Sequence, residues 1–262
     1  MSGTLLETVD ERGVATLTLN RPEQHNAFDD GLIAALTASL HRLGAAAGIR
    51  AVVLAGAGQS FSAGADLAWM RRIAGQSFDS NLADAAGLAG LMHSLDRLPK
   101  PTLALVHGAA YGGGVGLAAC CDIAIAAESA RFCLSEVRLG LIPATIGPYV
   151  VNAIGPRWAR RLFQTAEVFS AERARAIGLV HEVVPDDRLE AAGAEVLRDI
   201  LRGAPGAQAE AKDLVFLCEG RPVDADLGRE TGRRIARRRA SDEGQAGIAA
   251  FLDKRLAPWR RD

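Results

Sequence analysis

Cysteine is scarce and without pattern in this chain of 262 residues. Cys120, Cys121, Cys133 and Cys218 are the four present. Two are adjacent and none forms a CxxC pair, so neither a zinc site nor a disulfide framework is signalled. They are expected as buried small hydrophobes in a reducing compartment. An excess of charge of one sign is also missing. Lys and Arg number 30 against 31 Asp and Glu, which leaves no electrostatic footprint for a nucleic-acid binder. No apolar run reaches roughly 18 residues, so no spanning helix and no membrane partner are expected. The first residues, MSGTLLETVDERGVATLTL, carry acids where a signal peptide would be apolar, and a cytoplasmic protein is expected.

Several catalytic signatures fail by one residue. A GxGxxG fingerprint starting at Gly112 would need glycine at position 117, which is Leu117. No GK[ST] follows the glycine run, so it is not a P-loop. A GxSxG elbow starting at Gly58 would need glycine where Ser62 stands. His25, His41, His93, His107 and His181 show no HExxH or paired-ligand spacing, and each reads as a surface or core histidine. No metal and no separate cofactor are expected.

What is present is an alternation of short apolar strands and longer helices. Strand candidates lie near residues 5–9 and at VATLTL (14–19), AVVLAG (51–56), TLALVHG (102–108) and DIAIAA (122–127), with one more at LVHEVV. Leu32, Leu36, Leu40 and Leu43 recur at helical spacing over 29–46, and residues 78–98 read as a helix stopped by Pro99. Helices dominate from Val150 onward. The pattern predicts an α/β fold with sheets covered on both faces. Arg233, Arg234, Arg237 and Arg238 recur at helical spacing too. They read as a solvated helix surface, with a phosphate-binding face as the alternative.

Two glycine-containing turns each lead into a helix candidate, SAGADL and YGGGVGL. A helix N-terminus carries unpaired N–H groups and partial positive charge. Two such turns facing each other would aim two donors at one oxygen, an oxyanion hole suited to a carbonyl that becomes an enolate. Close packing by small residues explains either turn equally well when taken singly.

At this point the residues resemble a known family. LNRPEQHNAF (19–28), FSAGADL (61–67), HGAAYGGGVGLAACCDIAIA (107–126) and ARFCLSEVRLGLIPA (130–144) are similar, in this order, to segments of the crotonase superfamily, the enoyl-CoA hydratases and isomerases. ERARAIGLVHEVVP and EGQAGIAAFLDKRLAPW match later landmarks. The resemblance implies an α/β spiral of ββα-type turns over residues 1–200 and a helical trimerisation region over 201–262. It implies an acyl-CoA substrate, with coenzyme A as part of the substrate, and a homotrimer or dimer of trimers. Ala65 and Gly113 are implied as the oxyanion N–H donors and Glu136 as the acid/base. Ala27 and residues Ala65, Asp66, Leu67 and Ala68 are implied along the coenzyme A moiety, Asp66 chiefly as a cap of its turn. Phe251 and Lys254 are implied to touch coenzyme A from the C-terminal helix, often across a subunit contact.

One position departs from the pattern. The best-known hydratases carry a second glutamate two residues after the GGG, where this chain has Gly116. Asp122 is the nearest carboxylate in sequence and reads as structural. A single carboxylate suffices to move a proton from Cα to Cγ, which favours a Δ3-Δ2-enoyl-CoA isomerase. It can also serve water and Cα in turn, as a hydratase requires. AYGGGVGLAACCDIAIA, FCLSEVRLGLIPATIGPYVV and ARRLFQTAEVFSA resemble a bacterial subset that hydrates branched enoyl-CoAs, with methylglutaconyl-CoA hydratase of leucine breakdown as the type. The expected function is therefore hydration of a 2-enoyl-CoA, possible branching included, with isomerisation as the alternative. A branched substrate is expected to use room left by the missing glutamate. A coenzyme-A- or RNA-binding homologue without catalysis is the reading from another class. Trp69, Met70, Leu88, Ile142 and Tyr149 are candidates for the acyl pocket.

Overall fold

Asp10 organises the first turn of the chain. Its carboxylate accepts the N–H groups of Arg12 and Val14 at 2.9 Å each and folds β1 (Leu5–Val9) antiparallel onto β2 (Val14–Leu19). The structure, a computed structural model, describes residues 3–260. Helix α1 (Asp30–Ala45) follows, its N-terminus capped by the Asp29 carboxylate accepting from Leu32 N–H. Its Leu32, Leu36, Leu40 and Leu43 are buried. The chain continues through β3 (Ala51–Gly56), α2 (Leu67–Ala74), α3 (Phe78–Asp96), β4 (Thr102–Val106), β5 (Ala109–Tyr111) and α4 (Gly113–Cys120). Then come β6 (Ile123–Ala127), β7 (Arg131–Cys133), a 3-10 turn (Glu136–Leu139) and α5 (Gly147–Thr165), which is kinked at Gly155–Pro156. The C-terminal part comprises β8 (Phe169–Ser170), α6 (Ala171–Ala176), β9 (Glu182–Val184), α7 (Leu189–Arg202), α8 (Pro205–Cys218), α9 (Ala225–Ala240) and α10 (Asp242–Leu252).

Among the described residues the strands form two sheets. The larger has the order β1-β2-β3-β4-β6-β9, parallel from β2 onward, and the smaller the order β5-β7-β8. Successive residues of a strand point to opposite faces. In β3, Val52 and Leu54 enter the main core with α1 and α3, while Ala51 and Val53 face Leu189, Ala192 and Leu197 of α7. Both faces of the sheet are thus covered, as the near-continuous apolar strands predict.

After β4 and after β6 the chain steps into the smaller layer and then toward a helix: β4-β5-α4, then β6-β7 and the 3-10 turn into α5. The β3 unit does the same through Ser62, which bridges to Ala110. This is the α/β spiral of ββα turns expected from the resemblance. The short strands β5, β7 and β8 were not predicted. They matter because pairing of Tyr111 with Cys133 carries the segment holding Glu136 to the glycine run.

The C-terminal helices are tied back to the spiral. Arg50, 9 % exposed, donates to the carbonyls of Trp259 at 2.9 Å and Gly203 at 2.8 Å. Lys212 of α8 reaches Asp122, whose carboxylate also accepts from the Thr102 N–H and hydroxyl at 2.8 and 2.9 Å. Asp122 is structural, as read from sequence. On α9, Arg234 pairs with Glu230 and Asp213, and Arg238 with Glu210 and Glu243. Arg233 also meets Glu230 at 2.7 Å, so three of the four arginines of the cluster are engaged inside the chain. Among the described residues no helix is long and apolar enough to cross a membrane, and no group of His, Cys, Asp and Glu could hold a metal ion.

Candidate active site

The first turn is built by polar side chains. Asn26 is fully buried. Its Oδ1 accepts from Arg21 N–H at 2.8 Å, and its Nδ2 donates to the carbonyls of Ala57 at 2.8 Å and Ser60 at 2.7 Å. Ser62 Oγ donates to the Asn26 carbonyl at 2.9 Å, and Ala63 N–H donates to the His25 carbonyl at 2.9 Å. Phe28 then bridges to Ala65 in parallel register: Phe28 N–H donates to Gly64 O at 2.7 Å, and Asp66 N–H to Phe28 O at 2.9 Å. In such a bridge the residue between the two bonds turns its own N–H away from the partner. The Ala65 amide is therefore directed off the Phe28 strand, and it has no protein acceptor among the described residues.

Asp66 ends this turn and starts α2. Its Oδ1 accepts from Ala68 N–H at 2.8 Å and Trp69 N–H at 3.1 Å, and its Oδ2 meets Arg21 at 3.0 Å. The Trp69 and Ala68 amides, with the Arg21 charge, hold its carboxyl below the usual carboxylate range. Asp66 is thus a cap and an anchor, as its sequence position suggested.

The second turn is built by the absence of side chains. Gly112 has φ +48° and Gly64 has φ +88°, the left-handed region that glycine enters without strain. A Cβ on Gly64 would lie 3.0 Å from the Tyr111 carbonyl and 3.8 Å from the Gly112 Cα, so the two turns meet backbone to backbone. A Cβ on Gly114 would lie 2.5 Å from the Ser62 carbonyl, and one on Gly113 would lie 2.5 Å from the Phe28 ring. Helix α4 begins at Gly113, whose N–H belongs to the unpaired first turn of the helix. Among the described residues it too has no protein acceptor.

Glu136 follows β7 and opens the 3-10 turn. Its Oε1 lies over Gly112, 3.0 Å from where a Cβ would stand. Its Oε2 is buried and has no hydrogen-bond partner among the described residues. Burial pushes the Glu136 carboxyl above its ordinary value.

Ala65, Gly112, Gly113 and Glu136 line one cavity of about 310 Å³. Trp69, Met70, Leu88 and Ile142 form part of its apolar wall. Tyr149 lies outside it, packed on the core. Ala27 is buried behind Phe28 with its carbonyl held by Arg21 at 2.7 Å. Leu67 is exposed and, like Ala68, does not line the cavity. Phe251 and Lys254 lie away from it, on α10 and the turn that follows, and Phe251 is 83 % exposed. Sequence reading missed Asn81 and Asp84, both on the cavity wall, with Asp84 accepting from Trp69 Nε1 at 3.0 Å. Asn81, Asp84, Ala85 and Leu88 share one face of α3 at helical spacing, which is the signal that would have found them.

One expectation is corrected. No room remains beside Gly116. A Cβ there would fall 2.8 Å from the Ile146 Cβ and closer still to its Cγ2. Ile146 fills the space, so a branched substrate cannot use it.

Two free amides and a carboxylate with one buried, unpartnered oxygen, on one cavity wall, can hold a carbonyl oxygen and move a proton beside it. Comparison with known proteins points the same way. The sequence profile described as Enoyl-CoA hydratase/isomerase matches residues 10–262. A solved enoyl-CoA hydratase from Shewanella pealeana is 46 % identical, with a TM-score of 0.95 over 98 % of this chain and 96 % of its own. An enoyl-CoA hydratase of Alternaria alternata is 34 % identical over 94 % of this chain and 80 % of its own. The 1,2-epoxyphenylacetyl-CoA isomerase of Escherichia coli is 34 % identical over 94 % of each.

Proposed function

The chain belongs to the enoyl-CoA hydratase/isomerase family of the crotonase superfamily, enzymes that process acyl-CoA thioesters, and from that premise we propose that it hydrates a 2-enoyl-CoA with Glu136 as its acid/base. The thioester oxygen accepts from the Ala65 and Gly113 amides. Glu136 takes a proton from water while the water oxygen bonds to Cβ. The electron pair of the double bond moves to the thioester oxygen, and the two amides stabilise the enolate. The enolate then collapses as Glu136 returns a proton to Cα. Water is added across the double bond and the carboxylate is regenerated.

The observation that carries this reading is the buried Oε2 of Glu136, without a partner and with its proton affinity raised. A base of that kind, on the same wall as two free amides, suits proton exchange near neutral pH better than an ordinary surface glutamate. A branched acyl chain belongs to the same reading, supported by the apolar walls and the size of the cavity. Its lining carries no Lys, Arg or His. The free carboxylate of a methylglutaconyl-type substrate would therefore be met by neutral donors such as Asn81 and Thr145. Isomerisation is the second reading, favoured by Gly116, whose missing carboxylate leaves Glu136 to act alone on the α4 side.

A substrate panel separates the two. Crotonyl-CoA, 3-methylglutaconyl-CoA and a 3-enoyl-CoA are followed by the absorbance of the conjugated enoyl thioester. Hydration removes that absorbance and isomerisation creates it. Loss with either 2-enoyl-CoA is the expected result. A gain from the 3-enoyl-CoA with no loss from the others would overturn hydration.

The same reading divides the chain into a spiral core (1–200) and a trimerisation region (201–262), and makes it a cytoplasmic homotrimer or dimer of trimers. The exposure of Phe251 and Leu252, 83 % and 71 %, supports a subunit contact at α10. It also supports placing Phe251 and Lys254 against coenzyme A across that contact. Light scattering of the purified protein tests the assembly, and a monomer would contradict it.

A further inference from the structure

Gly116 lies on α4 three residues after Gly113, so the two share a helical face, the one that borders the cavity. A side chain at 116 would point at Ile146, which lines that cavity. It would meet Ile146 first, with its Cβ 2.8 Å from the Ile146 Cβ, and Met92 Cε next at 3.4 Å. Ile146 is 2 % exposed, stands at the N-cap of α5 and lines the same cavity as Glu136. Met92 is fully buried on α3 with its sulfur 3.7 Å from Cys120 Sγ. Met92 is enclosed in the core, so only the cavity side of Ile146 is open.

We propose that Ile146 is a specificity-determining residue, an apolar plug seated on Gly116 that shapes the acyl cavity along its α4 wall and keeps a second proton-transferring group off that wall. The inference rests on the reading of Glu136 as the acid/base. A β-branched side chain is stiff at χ1 and cannot swing aside as a methionine would. Interiors are close-packed, so an isoleucine and a longer side chain at 116 cannot share the space. A branch on the acyl chain pointing toward α4 meets the same rigid wall. Gly116 and Ile146 thus act as a reciprocal pair, with the bulk of one permitted only by the absence of a side chain on the other.

The first test uses unreactive ligands. Calorimetry compares butyryl-CoA and isovaleryl-CoA binding to the wild-type protein and to Ile146→Ala. The variant should improve isovaleryl-CoA relative to butyryl-CoA by about tenfold, the scale of a methyl-sized change in an apolar pocket. An unchanged ratio overturns the plug. A second test installs the excluded carboxylate. Gly116→Glu alone should lose butyryl-CoA binding or folded yield. Combined with Ile146→Gly it should regain binding and add an acidic ionisation to the pH profile of kcat/KM. A Gly116→Glu protein that binds butyryl-CoA like the wild type refutes the proposal, as does a double variant no better than the single one. The binding ratio needs no turnover. A shifted ratio in a protein inert toward every enoyl-CoA contradicts the proposed reaction and leaves the plug standing. Hydration with an unshifted ratio contradicts the plug alone.

Discussion

The two turns that flank Glu136 present a free amide each, and they are built by opposite means. The turn around Ala65 is held by side chains: Asn26, Ser62, Asp66 and Arg21 close it with hydrogen bonds and an ion pair. The turn around Gly113 has no side-chain cap and is held by contact, with backbone from one turn resting on backbone from the other. A polar scaffold degrades in steps, as bonds are removed one at a time, and it responds to pH. A steric one tolerates almost nothing and ignores pH. The two halves of one candidate oxyanion site should therefore fail differently.

The largest stability effect is expected at the steric turn. Gly114→Ala places a Cβ 2.5 Å from the Ser62 carbonyl, and both backbones are fixed. Overpacking of this kind should cost about 3 kcal/mol or more, read as a drop in Tm of roughly 6 °C or more. A neutral Gly114→Ala would break the comparison. Asn26→Ala comes next. It strips partners from the Arg21 amide, the part-buried Ala57 carbonyl and the buried Ser60 carbonyl, at about 2–3 kcal/mol, measured by urea unfolding. A smaller effect is expected for Asp66→Ala, at about 1 kcal/mol for the lost cap, because Arg21 keeps Asp29 at 3.0 Å.

Acid should separate the two turns most finely. The Asp66 carboxyl is lowered in the folded protein, so its contribution is complete above the unfolded value of about 3.9 and is lost as pH falls through the lower folded value. The stability gap between wild type and Asp66→Ala should therefore close below about pH 4. The gap for Gly114→Ala should not change with pH. A Gly114→Ala gap that closed in parallel would erase the distinction.

The same contrast explains what could be read from the sequence. Long periodic elements such as α1, and the apolar strands of the large sheet, follow from local pattern alone. Asp66 as a cap is likewise local, since it bonds amides two and three residues ahead. The strands β5, β7 and β8 are two or three residues long, too short for any periodicity, and pairing across the smaller sheet creates them. Glu136 could be singled out by resemblance, but its burial over Gly112 depends on that pairing. Asp84 was missed because the face it shares with Asn81, Ala85 and Leu88 mixes polar with apolar residues, so no apolar stripe marks it. Ile146 was hidden because its meaning lies in a contact with a residue thirty positions earlier that has no side chain. The glycine run was legible as a close approach; what it approaches was not.

Both turns matter only if they serve one carboxylate, and Glu136→Gln tests that most directly. The substitution keeps the shape of the side chain and removes the base. Turnover of the preferred 2-enoyl-CoA should fall by a factor of roughly 100 to 10,000, while butyryl-CoA binds as tightly as to the wild type. Turnover equal to the wild type, with binding intact, would contradict the account.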